Sequence, residues 1–125
     1  MTQVILTFYD ENHRAVKVLG ELGEAGFEPS QLESFRVHPE QGDRLLRRRR
    51  PTEEEEVIGV EKAERLLTEL EVEPQEARES LQRVRQGEYL VMVRTGDELS
   101  GRAKEILNQY PFEEQEDQTT LDEEG

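Results

Sequence analysis

The stretch VILTFY at residues 4–9 mixes β-branched, aliphatic and aromatic side chains and ends at Asp10. Such a run is typical of a β-strand. Because side chains alternate between the two faces of a strand and both faces here are apolar, the run predicts a central strand that is buried on both sides. A second run of this kind, YLVMV at residues 89–93, predicts another such strand. The sheet therefore needs cover on both faces, which the last helix or a second subunit would supply.

Four segments repeat apolar residues at the spacing of an amphipathic helix. Gly26 is suited to end the first helix, with Phe27 closing that end hydrophobically, and Pro74 is suited to begin the third. The apolar positions of the four helices are Ala15, Leu19 and Leu22; Ala63, Leu66, Leu67 and Leu70; Ala77, Leu81 and Val84; and Leu99, Ala103, Ile106, Leu107 and Tyr110.

The order of these segments predicts a two-layer α/β sandwich. Residues 32–37 predict a further strand, and residues 57–60 form either a short strand that pairs with it or the lead-in to the next helix. If residues 57–60 are a strand, the topology is ferredoxin-like βαββαβ with a split second helix and an extra C-terminal helix. If they are not, the alternative is a small three-stranded parallel sheet with flavodoxin-like crossovers.

The length of 125 residues suits one domain, and the composition divides the chain into parts. Residues 1–111 hold the predicted α/β domain. Within it, residues 39–56 contain a run of arginines followed by four consecutive glutamates, and this dense mixture of charges predicts a solvated loop. Residues 112–125 are acidic and polar, with Leu121 as their only aliphatic side chain, and they predict a disordered tail.

The formal net charge is −14, with 16 basic and 30 acidic residues. Seven of the acidic residues lie at 113–124, which leaves −7 on the rest of the chain. This charge opposes binding to nucleic acid and to anionic lipid, because both are repelled. An acid-rich, lysine-poor chain of low hydrophobic content is typical of a salt-adapted cytoplasm, and an arginine-biased codon usage with an incidental acidic surface is the alternative. The first interpretation predicts that thermal stability rises with KCl.

No apolar run approaches the roughly 20 residues that span a bilayer, and no signal-peptide pattern opens the sequence. The sequence therefore predicts a cytoplasmic protein without a membrane segment. Catalytic patterns are also absent, since no motif for nucleophilic catalysis, nucleotide binding or calcium binding occurs. With no cysteine and only two histidines, His13 and His38, thiol chemistry, disulfides and a Cys-rich or His-rich metal site are excluded. We therefore expect neither enzyme activity nor a cofactor or metal.

Three glycines follow the first predicted strand, namely Gly20, Gly23 and Gly26. They lie late in the helix and not in the turn that opens it, so they do not form a phosphate-binding turn. Instead they predict a close approach of the helix to the sheet, together with a helix stop.

The one concentrated basic feature is the run of arginines Arg44, Arg47, Arg48, Arg49 and Arg50. Guanidinium groups pair in a bidentate manner with phosphate and carboxylate, so the run is a candidate site for a small anion, an RNA backbone or an acidic partner. Two other interpretations stay open. The run is either a solvated loop that neighbouring glutamates neutralise, or a docking site for the acidic tail.

The chain resembles the YflT-type heat-induced general stress proteins of bacteria. The similar parts are the opening strand, Asp10, the helix end EAGF at 24–27, the segment VEPQEAR at 72–78, Gly87, the strand at 89–93, and Asp97. The central segment with its arginines and the acidic tail depart from the family pattern. The resemblance implies a soluble, cytoplasmic, stress-associated domain, and it carries over no functional residues.

Two functions follow as hypotheses. The first is a non-enzymatic, cytoplasmic, stress-associated domain that acts by protein–protein contact or self-association, with a protein partner or as a homodimer. The second is a regulatory module that binds a small anion or metabolite through the arginines at 44–50.

Overall fold

The computed structural model describes residues 2–109, which form a five-stranded sheet, four α-helices and a 3-10 turn at Pro29–Gln31. The predicted tail at 112–125 and Tyr110 lie outside the described residues. The elements are, in chain order, β1 (Thr2–Tyr9), α1 (Asn12–Glu24), β2 (Leu32–Val37), β3 (Arg44–Arg47), β4 (Glu56–Gly59), α2 (Val60–Glu69), α3 (Pro74–Arg85), β5 (Tyr89–Gly96) and α4 (Asp97–Leu107).

The strand order is β1-β5-β2-β3-β4, and every neighbouring pair is antiparallel. Helices cover both faces of the sheet, because alternate residues of β5 contribute to two different cores. Val91 and Val93 pack with α1 and α4, whereas Leu90 and Met92 pack with α2 and α3. The strand β5 therefore lies between the two cores, one on each face.

The predicted α/β class and the packing of helices on a sheet are confirmed, as are the split second helix (α2 and α3) and the extra C-terminal helix α4. Both faces of the sheet are covered, as predicted, but the last helix α4 shares a face with α1, and it is α2 and α3 that cover the other face. The ferredoxin-like order is not the one observed, because a ferredoxin-like sheet has its first strand inside and its last strand at an edge, whereas here β1 is the edge strand and β5 lies inside. The flavodoxin-like alternative is wrong, because it requires parallel strands and these are antiparallel.

The position of β1 differs from the prediction of a central strand. All eight residues of β1 pair with β5, from Thr2 opposite Gly96 to Tyr9 opposite Tyr89. No strand within residues 2–109 lies on the other side of β1. A strand with apolar side chains on both faces is therefore an edge strand of this sheet.

Residues 39–56 are not one solvated loop, because they contain β3 and the start of β4. Leu45 and Leu46 are both buried, on opposite faces of β3. The segment at 57–60 lies partly in β4, which pairs with β3 and not with β2. The prediction of a loop was wrong because it rested on the density of charges and passed over Leu45 and Leu46, whose buried side chains hold β3 in the sheet.

The helices largely follow the predicted pattern. Most of the predicted apolar positions are buried, Leu66 and Leu70 are half-buried, and Leu99 in the first turn of α4 is 43% exposed. Gly26 ends α1 as predicted, with φ of +106°, and the N–H of the buried Phe27 donates to the carbonyl of Leu22.

The predicted close approach of α1 to the sheet at its glycines is wrong. A Cβ added at Gly20 would lie 3.3 Å from Cγ of Pro51, in the segment after β3, and a Cβ at Gly23 would meet nothing within 4 Å. Gly20 therefore makes room for the segment between β3 and β4 to pack against α1, and not for the sheet.

Candidate functional site

Arg47 lies at the centre of an ion-pair network on the face of the sheet that α2 and α3 cover. Its Nε donates to Oε1 of Glu33 at 2.8 Å, its Nη2 donates to Oε2 of Glu33, and its Nη1 donates to Oε1 of Glu56 at 3.0 Å. Glu33 is only 2% exposed, so burial raises its pKa, while the guanidinium acts against that rise. The contact with Glu33 also raises the pKa of Arg47. The guanidinium of Arg47 is thus engaged within the fold itself.

A second network lies on the opposite face, beside α1. Arg36 donates from Nε and Nη2 to the two carboxylate oxygens of Glu55, at 2.7 and 2.8 Å. Nη2 of Arg48 lies 3.7 Å from Oε2 of the same carboxylate. The hydroxyl of Ser34 donates to the carbonyl of Arg48. Together these contacts fasten the segment after β3 to β2.

The other arginines of the run are placed apart. Arg49 pairs with Glu53, because its backbone N–H donates to Oε1 at 2.9 Å and its Nη2 lies 3.6 Å from Oε2. Arg44 is exposed at the start of β3, and Arg50 lines a groove beside α1. Neither Arg44 nor Arg50 forms an ion pair with any residue in the described range.

The five predicted site residues therefore do not converge on one anion site. Arg47, Arg48 and Arg49 line a cleft of about 170 Å³ in which three glutamates balance their charge. Those glutamates are Glu53, Glu54 and Glu56. This arrangement favours the interpretation that neighbouring glutamates neutralise the run. Anion binding through the run stays a prediction, and tail docking involves residues outside the described range.

Glu33 and Arg36 anchor the two networks in β2, and neither residue was predicted from the sequence. Glu33 lies in a strand in which Leu32 and Phe35 are buried. Charged residues are seldom buried unless they are paired. A glutamate placed between the apolar Leu32 and Phe35 of a strand is therefore the signal that predicts a buried partner, and the arginine run supplies that partner.

Glu55→Gln is expected to weaken the acid sensitivity of folding. Arg36 lowers the pKa of Glu55 in the folded protein, so the ionised carboxylate stabilises the fold above the ordinary glutamate value of 4.5. That stabilisation is lost as the pH falls through the lower folded pKa, whereas glutamine gains no proton. The variant is expected to melt at a lower temperature near neutral pH and to lose less stability below about pH 4.5.

The measurement is thermal unfolding across a pH series. Glu54→Gln, at an exposed position of the same segment, is the control and is expected to leave the pH profile unchanged. A pH profile of Glu55→Gln that runs parallel to the wild-type profile would contradict the stabilising role of the Arg36–Glu55 pair.

The second feature is the edge strand β1. Residues 1–9 form the longest stretch of the sequence without a charged side chain. Among the strands of the described chain, β1 alone contains no charged residue. Its outward row of backbone N–H and C=O groups faces no other strand within residues 2–109. A long, uncharged edge of this kind is a template for pairing with another chain.

The apolar side chains of β1 are only partly buried. Val4, Leu6 and Phe8 pack at the margin of the core that α2 and α3 form, and Ile5 packs at the margin of the opposite core. The guanidinium of Arg83 stacks on the ring of Phe8, 3.7 Å from its centroid. The helices therefore leave an apolar strip along this edge of the sheet.

Tyr9→Phe is expected to destabilise the fold by about 1–2 kcal/mol. Tyr9 is fully buried, its hydroxyl donates to the carbonyl of Leu107 at 2.7 Å, and burial raises its pKa. Without the hydroxyl the carbonyl at the end of α4 loses this partner. Urea unfolding is the measurement, and Tyr89→Phe at the half-buried position opposite Tyr9 is the control. Equal losses in the two variants would contradict a specific role for the Tyr9 hydrogen bond.

The opposite edge of the sheet, β4, has different properties. It has only four residues, and the Glu56 carboxylate in it lies 3.3 Å from Nζ of Lys62. Short, charged edges resist the addition of another strand. Val57 is 48% exposed there, which makes it a convenient position for control substitutions.

Comparison of the chain with known protein families, curated proteins and solved structures finds no match. None of the helices described here combines the length and apolar composition needed to cross a membrane. Likewise, residues 2–109 contain no group of three or more histidine, cysteine, aspartate or glutamate side chains arranged to hold a metal ion. The function is therefore inferred from the β1 edge and the arginine networks.

Proposed function

We propose that this chain is a non-enzymatic interaction domain that contacts another protein chain through β1, by strand addition. The observation that carries the proposal is the mismatch between the composition of β1 and its position. Residues 4–9 have the composition of a strand buried on both sides, yet they lie in the edge strand of the sheet. Pairing with another strand would place β1 inside a larger sheet, which is the environment that its sequence fits.

The contact has two physical components. The outward N–H and C=O groups of β1 supply main-chain hydrogen bonds, which are largely independent of the partner's sequence. The half-buried side chains of Val4, Leu6 and Phe8 lose their remaining contact with water, which adds hydrophobic stabilisation. No catalytic group is needed for either component.

Anion binding through the arginine run has less support. Arg47, Arg48 and Arg49 already pair with glutamates of the same chain. An incoming phosphate or carboxylate would have to compete with these intramolecular partners, which are held in place by the fold.

The cytoplasmic location and the association with stress are parts of the proposal that rest on the resemblance to YflT-type proteins, as does membership of that family. The resemblance carries over no functional residues. A stress-associated domain that acts only by protein contact is therefore compatible with it.

Hydrogen exchange of the β1 amides tests the proposal. The protein is purified in its native assembly at the salt concentration of the source cell, and compared with Leu6→Lys, since lysine on an edge opposes strand addition. Val57→Lys on the opposite edge is the matched control. Outward β1 amides are expected to exchange slowly in the wild type and in Val57→Lys, and quickly in Leu6→Lys.

The amides of β1 that bond to β5 serve as an internal control, because they stay protected wherever the sheet is intact. Slow exchange at these positions excludes unfolding as the cause of any difference. Fast exchange of the outward amides in the native wild-type assembly would overturn the proposal.

A further inference from the structure

We infer that the strand added to β1 is the β1 of a second copy of this chain, with the two Leu6 residues meeting at a two-fold axis. The inference rests on the proposed function and specifies the partner. It predicts a homodimer in which two five-stranded sheets become one continuous ten-stranded sheet.

Charge favours a second copy as the partner. A two-fold interface brings each surface patch against the same patch of the other copy, so a charged patch meets its own charge. With a net charge of −14, two copies repel each other over most of their surface. The uncharged stretch at residues 1–9 is the place where two copies can approach without opposing like charges. A strongly basic partner, by contrast, would be attracted to the acidic surface and not to this neutral edge.

Symmetry restricts how two β1 strands can pair. Two identical antiparallel strands in one sheet are related by a two-fold axis perpendicular to the sheet, so both copies present the same face on the same side. Residues that lie opposite each other must then share a face. The axis therefore passes between two copies of one residue, and the central candidates are Ile5 and Leu6.

The side chains distinguish these two registers. With Leu6 at the axis, Val4 lies opposite Phe8 of the partner, and three apolar side chains per copy meet only apolar side chains on that face. With Ile5 at the axis, Phe8 instead lies opposite Thr2, which is exposed. Apolar and aromatic cross-strand pairs stabilise a sheet more than a pair of an aromatic and an exposed polar residue. The register centred on Leu6 is therefore the one that buries the apolar strip.

The same arrangement accounts for the difference between the two edges. In the dimer, β1 and β5 are both interior strands with helices on either face, which is the position that their apolar sequences predict. The remaining outer edges are the two copies of β4, which are short and carry an ion pair. Strand addition therefore stops at two copies and does not continue into a fibre.

Disulfide formation in single-cysteine variants tests the register, because the natural chain contains no cysteine. Residues directly opposite in an antiparallel pair have Cα atoms about 4.5–5.5 Å apart, which a disulfide spans. Under mild oxidation, Leu6→Cys is expected to form covalent dimers in high yield. Ile5→Cys reports the competing register, in which the Leu6 Cα atoms would be more than about 7 Å apart. Val57→Cys, exposed on the opposite edge, measures random collision.

The molar mass of the unmodified wild type, measured by sedimentation equilibrium, completes the experiment without any substitution in β1. A dimer, with cross-linking at Leu6 well above that at Val57, is the expected result. A dimer with cross-linking at Ile5 overturns the Leu6 register. A monomer whose outward β1 amides are nevertheless protected in the native assembly overturns the second copy as partner and leaves the proposed function standing. A monomer with unprotected β1 amides overturns both.

Discussion

Arg47→Gln is expected to destabilise the fold by about 3–5 kcal/mol, which is a large part of the 5–15 kcal/mol typical of a domain. The reason is the carboxylate that it leaves behind. Glu33 is 2% exposed and receives two hydrogen bonds from the Arg47 guanidinium. Without them, a charge stays buried with no opposite charge beside it, and that penalty is much larger than the loss of a surface ion pair. Urea unfolding near neutral pH measures the difference.

Two comparisons isolate the buried charge as the cause. Arg44→Gln removes an arginine from the same strand at an exposed position without an ion pair in the described range, and it is expected to change stability by no more than about 0.5 kcal/mol. The double variant Glu33→Gln/Arg47→Gln leaves no charge in the core, so it is expected to recover much of the loss. Equal stabilities of Arg47→Gln and Arg44→Gln would show that Glu33 does not depend on Arg47.

The loss in Arg47→Gln is also expected to shrink as the pH falls. Burial raises the pKa of Glu33, and in the variant the guanidinium no longer limits that rise. A carboxyl group whose folded pKa is raised stabilises the fold below that pKa and loses this stabilisation as the pH rises through it. The difference in the free energy of unfolding between the variant and the wild type should therefore be largest at neutral pH and smaller in acid. If that difference is the same at every pH, the cause is the loss of packing and not the buried charge of Glu33.

These expectations also determine how the arginine run can be tested for ligand binding. Changing all five arginines together would also remove Arg47 and with it a large part of the stability, so a loss of ligand binding could reflect unfolding and not the loss of an anion site. Arg44 and Arg50 have no ion-pair partner in the described part of the chain and can be changed to glutamine with less risk. Loss of an anion-dependent thermal shift in that double variant would support the hypothesis of an anion site.

Local features of the fold were predictable from the sequence. The helices follow from apolar residues at helical spacing, and the end of α1 follows from Gly26, which adopts the positive φ that favours glycine. The strand order was not predictable, because it depends on which distant segments pair. β1 and β5 each contain a run that is apolar on both faces, at residues 4–9 and 89–93, yet β5 lies inside the sheet and β1 lies at its edge. The composition of a strand shows that both of its faces are apolar, but it does not show which other strand pairs with it.

The candidate site was predictable in position but not in role. The arginine run is conspicuous in the sequence, and Glu53 next to it does pair with Arg49. The decisive partner of Arg47 is Glu33, which lies 14 residues earlier and comes into range only when β2 and β3 pair. A count of charges among neighbouring residues therefore finds Glu53, which is partly exposed to solvent, and misses the buried Glu33.

Association of two copies is expected to strengthen by at least about tenfold when KCl is raised from roughly 0.1 M to 1 M. Each copy carries a net charge of −14, and β1, which forms the proposed contact, contains no charged residue of its own. Repulsion between the copies is then the electrostatic contribution that salt changes most, since the Debye length falls from about 10 Å to about 3 Å over this range. An interface held together by ion pairs would weaken under the same conditions. Sedimentation equilibrium across a KCl series measures the dimer dissociation constant.

The thermal stability of each copy is expected to rise in the same series, because the acidic residues also repel one another within the chain. A variant with glutamine at Glu40, Glu73 and Glu98, which are exposed and have no ion pair in the described range, carries three fewer negative charges. It should associate more tightly than the wild type at low salt and respond less steeply to KCl. If the triple variant responds to KCl as steeply as the wild type, charge repulsion is not the origin of the salt effect. If dimers instead dissociate as KCl rises, ion pairs hold the copies together, and the interface cannot be the uncharged edge of β1.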